Sequence, residues 1–157
     1  MNSEQKQDYT RRITQANRTG IIVITYEKAL DYLREARDAS SLDDGGRECR
    51  LALKRASRCV EQLLSSLNYD YDISLYLFRL YNYVLEWIRR ADYSLDMEHL
   101  AWPEKILHSL RESFEKAAQQ DTSGPMMGGA EEVYDGLTYN AKGRTNTSIA
   151  SPNSYGA

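Results

Sequence analysis

Four stretches of this chain carry large apolar residues at alternating spacings of three and four, and that pattern leaves little room for anything but helices. The first runs Ile22, Tyr26, Ala29, Leu33, Ala36 and the second Cys49, Leu53, Ala56, Val60, Leu63, Leu67. The third runs Ile73, Leu77, Leu80, Val84, Trp87, Ala91, and the fourth takes in Met97, Leu100, Leu107, Leu110, Phe114 and Ala117. Gly20 to Thr25 would suit a strand if read alone. The helical spacing continues for three more turns and no pairing strand is in sight, so a helix from about Arg18 to Ala39 is predicted, capped by Asn17. Further helices are predicted over about Arg47–Leu67 and Ile73–Ala91, and from the turn at Asp96 to Ala118, with a kink or break at Pro103 because proline lacks the N–H and crowds the preceding turn. Connections of five to eight residues place neighbouring helices antiparallel. The fold class is therefore all-α: an antiparallel up-down four-helix bundle with a flexible N-terminal arm and a largely disordered C-terminal tail.

The ends differ from the middle. Residues 1–16 are polar apart from Tyr9 and Ile13 and are read as an arm; residues 17–119 form the bundle. Only three of the nine glycines precede position 120, so composition changes there, and residues 120–157, rich in Gly, Ser, Thr and Asn, cannot bury enough apolar surface to order themselves. Inside that tail, residues 131–139 gather Val133, Tyr134, Leu137 and Tyr139, which reads as a short docking segment.

Most chemistry is missing. His99 and His108 stand nine residues apart, so on one helix they point to opposite sides, and Asp96-Met97-Glu98-His99 is a single imperfect echo of a di-iron ligand pair. No phosphate loop, nucleophile elbow or zinc-protease motif occurs. No metal, no cofactor and no enzymatic activity are expected. Net charge is −3 with acids and bases intermixed, which argues against nucleic acid. No apolar run approaches the roughly 20 residues of a membrane span, so no membrane insertion is expected. Cys49 and Cys59 lie ten apart on one helix, too far to bridge, and read as free thiols of a reducing, cytoplasmic compartment. The charges Glu27, Lys28, Asp31, Arg34 and Glu35 read as solvated surface.

Tyrosine is the exception. Of twelve, five fall between Tyr69 and Tyr83, and Tyr69, Tyr76 and Tyr83 recur every seven residues as a second stripe beside the third seam. Such a stripe either covers the edge of the core with its hydroxyls in water or lines a groove for a partner helix.

Several local patterns resemble the flagellar export chaperones of the FliS family. Ala16-Asn17-Arg18, the run Ile21-Ile22-Val23-Ile24 and Tyr26-Glu27-Lys28-Ala29-Leu30 are similar to that family's opening Ala-Ser-Pro, apolar run and Tyr-Asp-Gly-Ala-Ile. Leu63-Leu64-Ser65-Ser66-Leu67-Asn68 resembles its Ser-Ser-Leu-Asp, Leu80-Tyr81-Asn82-Tyr83-Val84 its Leu-Tyr-Asp-Tyr-Met, and Leu107 to Phe114 its final Leu-x-x-Leu-Arg-x-x-Trp. The resemblance implies a cytoplasmic chaperone that binds the disordered C-terminal segment of flagellin, prevents premature polymerisation and delivers it to the type III export apparatus, whose export gate is a second candidate partner. Joined to the tyrosine stripe, it implies a flagellin groove of Tyr26, Tyr69, Tyr76, Leu80 and Tyr83, shielded in the empty state by Tyr9 and Ile13 of the arm. The competing expectation is a generic helical adaptor with no flagellar client.

Overall fold

The computed structural model describes residues 1–127, in which five α-helices and one short 3-10 turn occur and no strand: α1 Ser3–Gln15, α2 Arg18–Ser40, α3 Gly46–Ser65, α4 Ile73–Ser94 and α5 Ala101–Gln120, with the 3-10 turn Met97–Leu100 ahead of α5. Helix α2 lies against α3 and α5, α3 against α4, and α4 against α5, so these four enclose one core; α1 packs on α2.

The first sixteen residues correct the expectation of a flexible arm. They form a capped helix. Asn2 accepts the Gln5 N–H at 2.8 Å while the Gln5 side chain accepts the Asn2 N–H at 3.0 Å, satisfying two of the donors that a helix start leaves open. At α2 the expected cap is present, the Asn17 side chain accepting the Gly20 N–H at 2.8 Å. The strand-like run over residues 20–25 is helical, and Thr25 returns its hydroxyl to the Ile21 carbonyl at 2.8 Å.

The ends of the helices are cross-tied. Thr19 donates to the Asp121 carboxylate at 2.7 Å, joining the start of α2 to the end of α5. At the opposite end Arg37 grips Glu104 with two bonds of 2.7 and 2.9 Å, so α2 and α5 run antiparallel. Arg50, near the start of α3, reaches Asp92 near the end of α4 at 3.1 Å. Between α2 and α3 the chain turns tightly: a Cβ at Gly45 would lie 1.7 Å from the Ala39 carbonyl oxygen. Glycine is needed there for close approach, not for an unusual dihedral angle.

The seams of α2 and α3 lie where the spacing puts them. Tyr26, Ala29, Leu33 and Ala36 are buried, as are Cys49, Leu53, Ala56, Val60 and Leu63. Helix α4 differs. Its buried residues are Ser74, Leu77, Tyr81, Val84, Ile88 and Ala91. Leu77, Val84 and Ala91 are shared with the expected seam, but Ile73 is exposed and Leu80 and Trp87 are only half-buried. The helix is turned so that Ser74, Tyr81 and Ile88 face inward instead. Pro103 also has a milder role than expected. It occupies the first turn of α5, where its missing N–H has no intrahelical partner to lose, and the break falls earlier, in the 3-10 turn.

Candidate functional site

A closed turn sets the start of α4. Asn68 accepts the Asp70 N–H at 3.0 Å through its side chain, and the buried Ser74 hydroxyl donates to the Asn68 carbonyl. Held in this way, the turn leaves Tyr69 and Tyr71 outside, 58% and 64% exposed. From there α4 carries two unlike faces. Leu77, Tyr81, Val84 and Ile88 enter the core, while Tyr76, Leu80, Tyr83 and Trp87, spaced four, three and four, form a stripe beside it.

This second stripe borders α5. Tyr76 and Leu80 share a hollow of about 220 Å³ with Trp102, Lys105, Ile106, Ser109 and Leu110. Tyr76 is 61% and Trp102 54% exposed, so the walls are apolar and open to water. The hollow is smaller than the roughly 300–1,000 Å³ of small-molecule sites and suits one or two apolar side chains of a docked peptide. Farther along, Tyr83 meets Trp87 edge-on with ring centres 6.0 Å apart, Trp87 packs on His99 at 5.6 Å, and the Arg90 guanidinium lies 4.8 Å from the Trp87 ring centre. Tyr83 is thus braced from one side and remains 43% exposed.

The five groove residues expected from the sequence are not one site. Tyr76 and Leu80 come together, Tyr83 continues their stripe, and Tyr69 stands at its end. Tyr26 requires a correction. Its ring is wholly enclosed, its hydroxyl is hydrogen-bonded to that of Tyr81, and Phe114 packs on it with ring centres 5.6 Å apart. Burial pushes the Tyr26 phenol well above the ordinary tyrosine range, with the Tyr81 hydroxyl adding to the rise; burial raises Tyr81 as well. Both stay neutral and tie α2 to α4 from within. Sequence reasoning missed Trp102 and Ile106. Their signal was present: Trp102, Ile106 and Ser109 repeat the four-three spacing one step off the α5 seam.

Tyr9 and Ile13 lie elsewhere. Tyr9 is buried and donates to Asp31 at 2.7 Å; Arg12 pairs with Glu27 at 2.6 Å; the Met1 ammonium meets Glu35. Glu27, Asp31 and Glu35 are one i, i+4, i+8 stripe of α2, so these three of the five charges read as solvated surface hold α1 instead, while Arg34 stays exposed. Ile13 is half-buried. These contacts place α1 on α2, and Tyr76 and Tyr83 remain uncovered. Val133, Tyr134, Leu137 and Tyr139 lie outside the described residues.

Other chemistry finds no foothold among the described residues. No group of three or more His, Cys, Asp or Glu could hold a metal ion. Cys49 and Cys59 are buried free thiols, and burial raises both above the ordinary range, which keeps them protonated and unreactive. No helix among the described residues is long and apolar enough to cross a membrane.

Among the described residues, an all-helical core thus carries a strip of exposed aromatic surface beside it, the kind of surface that helical binding modules present. The chain belongs to the FliS family: the model described as flagellar protein FliS matches residues 1–121, from α1 through the end of α5. FliS proteins are flagellar chaperones rather than enzymes. No curated protein matches the chain.

Proposed function

We propose that this protein is the cytoplasmic chaperone of a flagellin. It binds the disordered C-terminal segment of flagellin, keeps the subunit from polymerising early and delivers it to the flagellar type III export apparatus. The observation that carries this reading is the open hollow of Tyr76, Leu80, Trp102 and Ile106, extended by Tyr83. An unfolded amphipathic segment can place apolar anchors there and bear its ordering entropy on contact. No nucleotide is required for such holding. In this reading α2 to α5 act as an antiparallel up-down four-helix bundle spanning residues 17–119, supported by the end-to-end ties of α2 with α5 and of α3 with α4.

Residues 1–16 and 120–157 flank the bundle. The shielding role of Tyr9 and Ile13 is recast: α1 covers α2, and its release exposes α2 surface to the same client. Removing residues 1–15 then raises binding of an apolar dye, and equal dye binding by both forms rules the shield out. Residues 131–139 serve as a docking segment, for the chain's own groove or for a second partner such as the export gate. Ending the chain after Gln120 tightens flagellin binding in the first case and leaves it intact while abolishing export in the second; no change in binding or export makes the segment a linker.

Calorimetry of the full chain with a synthetic flagellin C-terminal peptide tests the main reading. We expect saturable binding with a negative heat-capacity change from apolar burial. No heat at any temperature, together with unaltered tryptophan fluorescence from Trp102, leaves a helical adaptor without a flagellar client.

A further inference from the structure

A second groove runs along the other side of α4. Between α3 and α4 lies an open trough of about 690 Å³. Its floor is apolar: Leu51, which is 46% exposed, and the half-buried Leu85, with Ile88 buried beneath them. Its rim is basic. Arg47, Arg50, Lys54 and Arg58 recur at spacings of three, four and four along α3, and Arg89 faces them from α4. Helix α3 carries five cations against two carboxylates, in a chain whose net charge is −3.

The charges separate into engaged and unengaged groups. Arg50 is held by Asp92 at 3.1 Å and Arg89 by Glu86 at 2.6 Å. Arg47, Lys54 and Arg58 form no ion pair among the described residues, and all three are exposed. Glu61 closes the trough at one end. From Arg47 to Arg58 the stripe is about 16 Å long at a rise of about 1.5 Å per residue, the length of three helical turns.

We propose that this trough docks an acidic amphipathic helix of a partner protein, its apolar face on Leu51 and Leu85 and its carboxylates on Arg47, Lys54 and Arg58. Charge complementarity selects this occupant. A phosphate backbone would meet the cations but leave Leu51 and Leu85 uncovered, whereas a helix with acids flanking a leucine stripe satisfies both. The site is separate from the aromatic hollow between α4 and α5, and the inference does not rest on the flagellin reading.

The probe is a synthetic helical peptide with leucines at three-four spacing and glutamates beside them, titrated into the full chain at low ionic strength. A composition-matched peptide with its leucines scattered is the control. NMR should map the contact to α3 and α4 at Leu51, Lys54 and Leu85, not to Tyr76 or Trp102. The double substitution Lys54→Glu and Arg58→Glu should weaken binding about tenfold or more, and about 0.5 M salt should weaken it comparably. The scattered control should bind about tenfold more weakly than the helical peptide. Helicity by circular dichroism confirms that the variant is folded; Lys54→Gln with Arg58→Gln replaces it if it is not. Absence of binding, equal binding by the control, or shifts confined to the α5 side overturns the proposal. So does preferential binding to vesicles of phosphatidylcholine and phosphatidylglycerol, which makes the trough a lipid surface. Self-association that the double variant abolishes also overturns it, making the occupant a second copy.

Discussion

Helices α2 and α4 both bury one face in the same core, and they differ in what becomes of a second. On α2 that face is an acidic stripe, Glu27, Asp31 and Glu35, and it is covered by the chain's own α1 through Arg12, Tyr9 and the Met1 ammonium. On α4 it is aromatic and aliphatic, Tyr76, Leu80 and Tyr83, and the described residues leave it open. Exposed apolar surface has no partner in water, whereas exposed carboxylates have water itself. The carboxylates of the α2 stripe would therefore cost less to uncover than the aromatic rings of the α4 stripe, which is why the proposed flagellin site is placed on α4.

Adjacent faces of α4 should answer mutation in opposite ways. The largest effect is expected at Tyr81. Replacing it with alanine removes a buried ring and strands the Tyr26 hydroxyl, which should cost about 3–5 kcal/mol in urea unfolding. A loss below about 1 kcal/mol would mean that the inner face is not the one identified.

The buried tyrosine pair should also show in alkali. Burial raises both phenols in the folded state above their ordinary value of 10.0. Their contribution is then fully present below about pH 10 and declines as pH rises through the raised folded values, by about 1.4 kcal/mol per pH unit for each phenol that ionises on unfolding. Tyr26→Phe should flatten the fall. A stability profile identical in the variant and the parent would detach the pair from it.

On the outer face, Tyr83→Ala should leave stability within about 0.5 kcal/mol, as surface changes do. It should nonetheless weaken the flagellin peptide by about ten- to a hundredfold, the equivalent of roughly 1.5–3 kcal/mol of buried aromatic surface. Unchanged affinity with normal helicity removes Tyr83 from the site.

The smallest effect belongs to the covered face of α2. Tyr9→Phe deletes one hydrogen bond to Asp31 and should loosen α1 by about 1 kcal/mol. Amide exchange in α1 should then quicken about fivefold while α2 to α5 stay protected. Equal quickening throughout would make α1 part of the cooperative core instead of a cover.

These two helices also mark how far the sequence could be read. For α2 and α3 the polar residues outnumber the apolar ones off the seam, so only one helical phase buries the apolar set, and Leu33, Leu53 and Val60 stand where periodicity puts them. The cap at Asn17 and the all-helical class are equally local properties, set by short-range geometry. Helix α4 has apolar residues nearly all round, so several phases bury a comparable area and the pattern cannot choose. The choice comes from neighbours: the Tyr81 hydroxyl finds that of Tyr26 across the core, and Ser74 finds the Asn68 carbonyl. Tyr26 left the candidate site because the α2 seam buries it against Tyr81 and Phe114, while the packing of α5 beside α4 brought Trp102 and Ile106 into it. Helix α1 failed to announce itself for a related reason. Its seating on α2 uses charge and hydroxyl pairs, and any solvated helix surface offers the same residue types. The sequence by itself determined where α2 to α5 form and which faces of α2 and α3 are dry, because those follow from spacing along one helix. Only the tertiary structure decided which way α4 turns and what α1 covers, because those depend on pairs of side chains far apart in the chain.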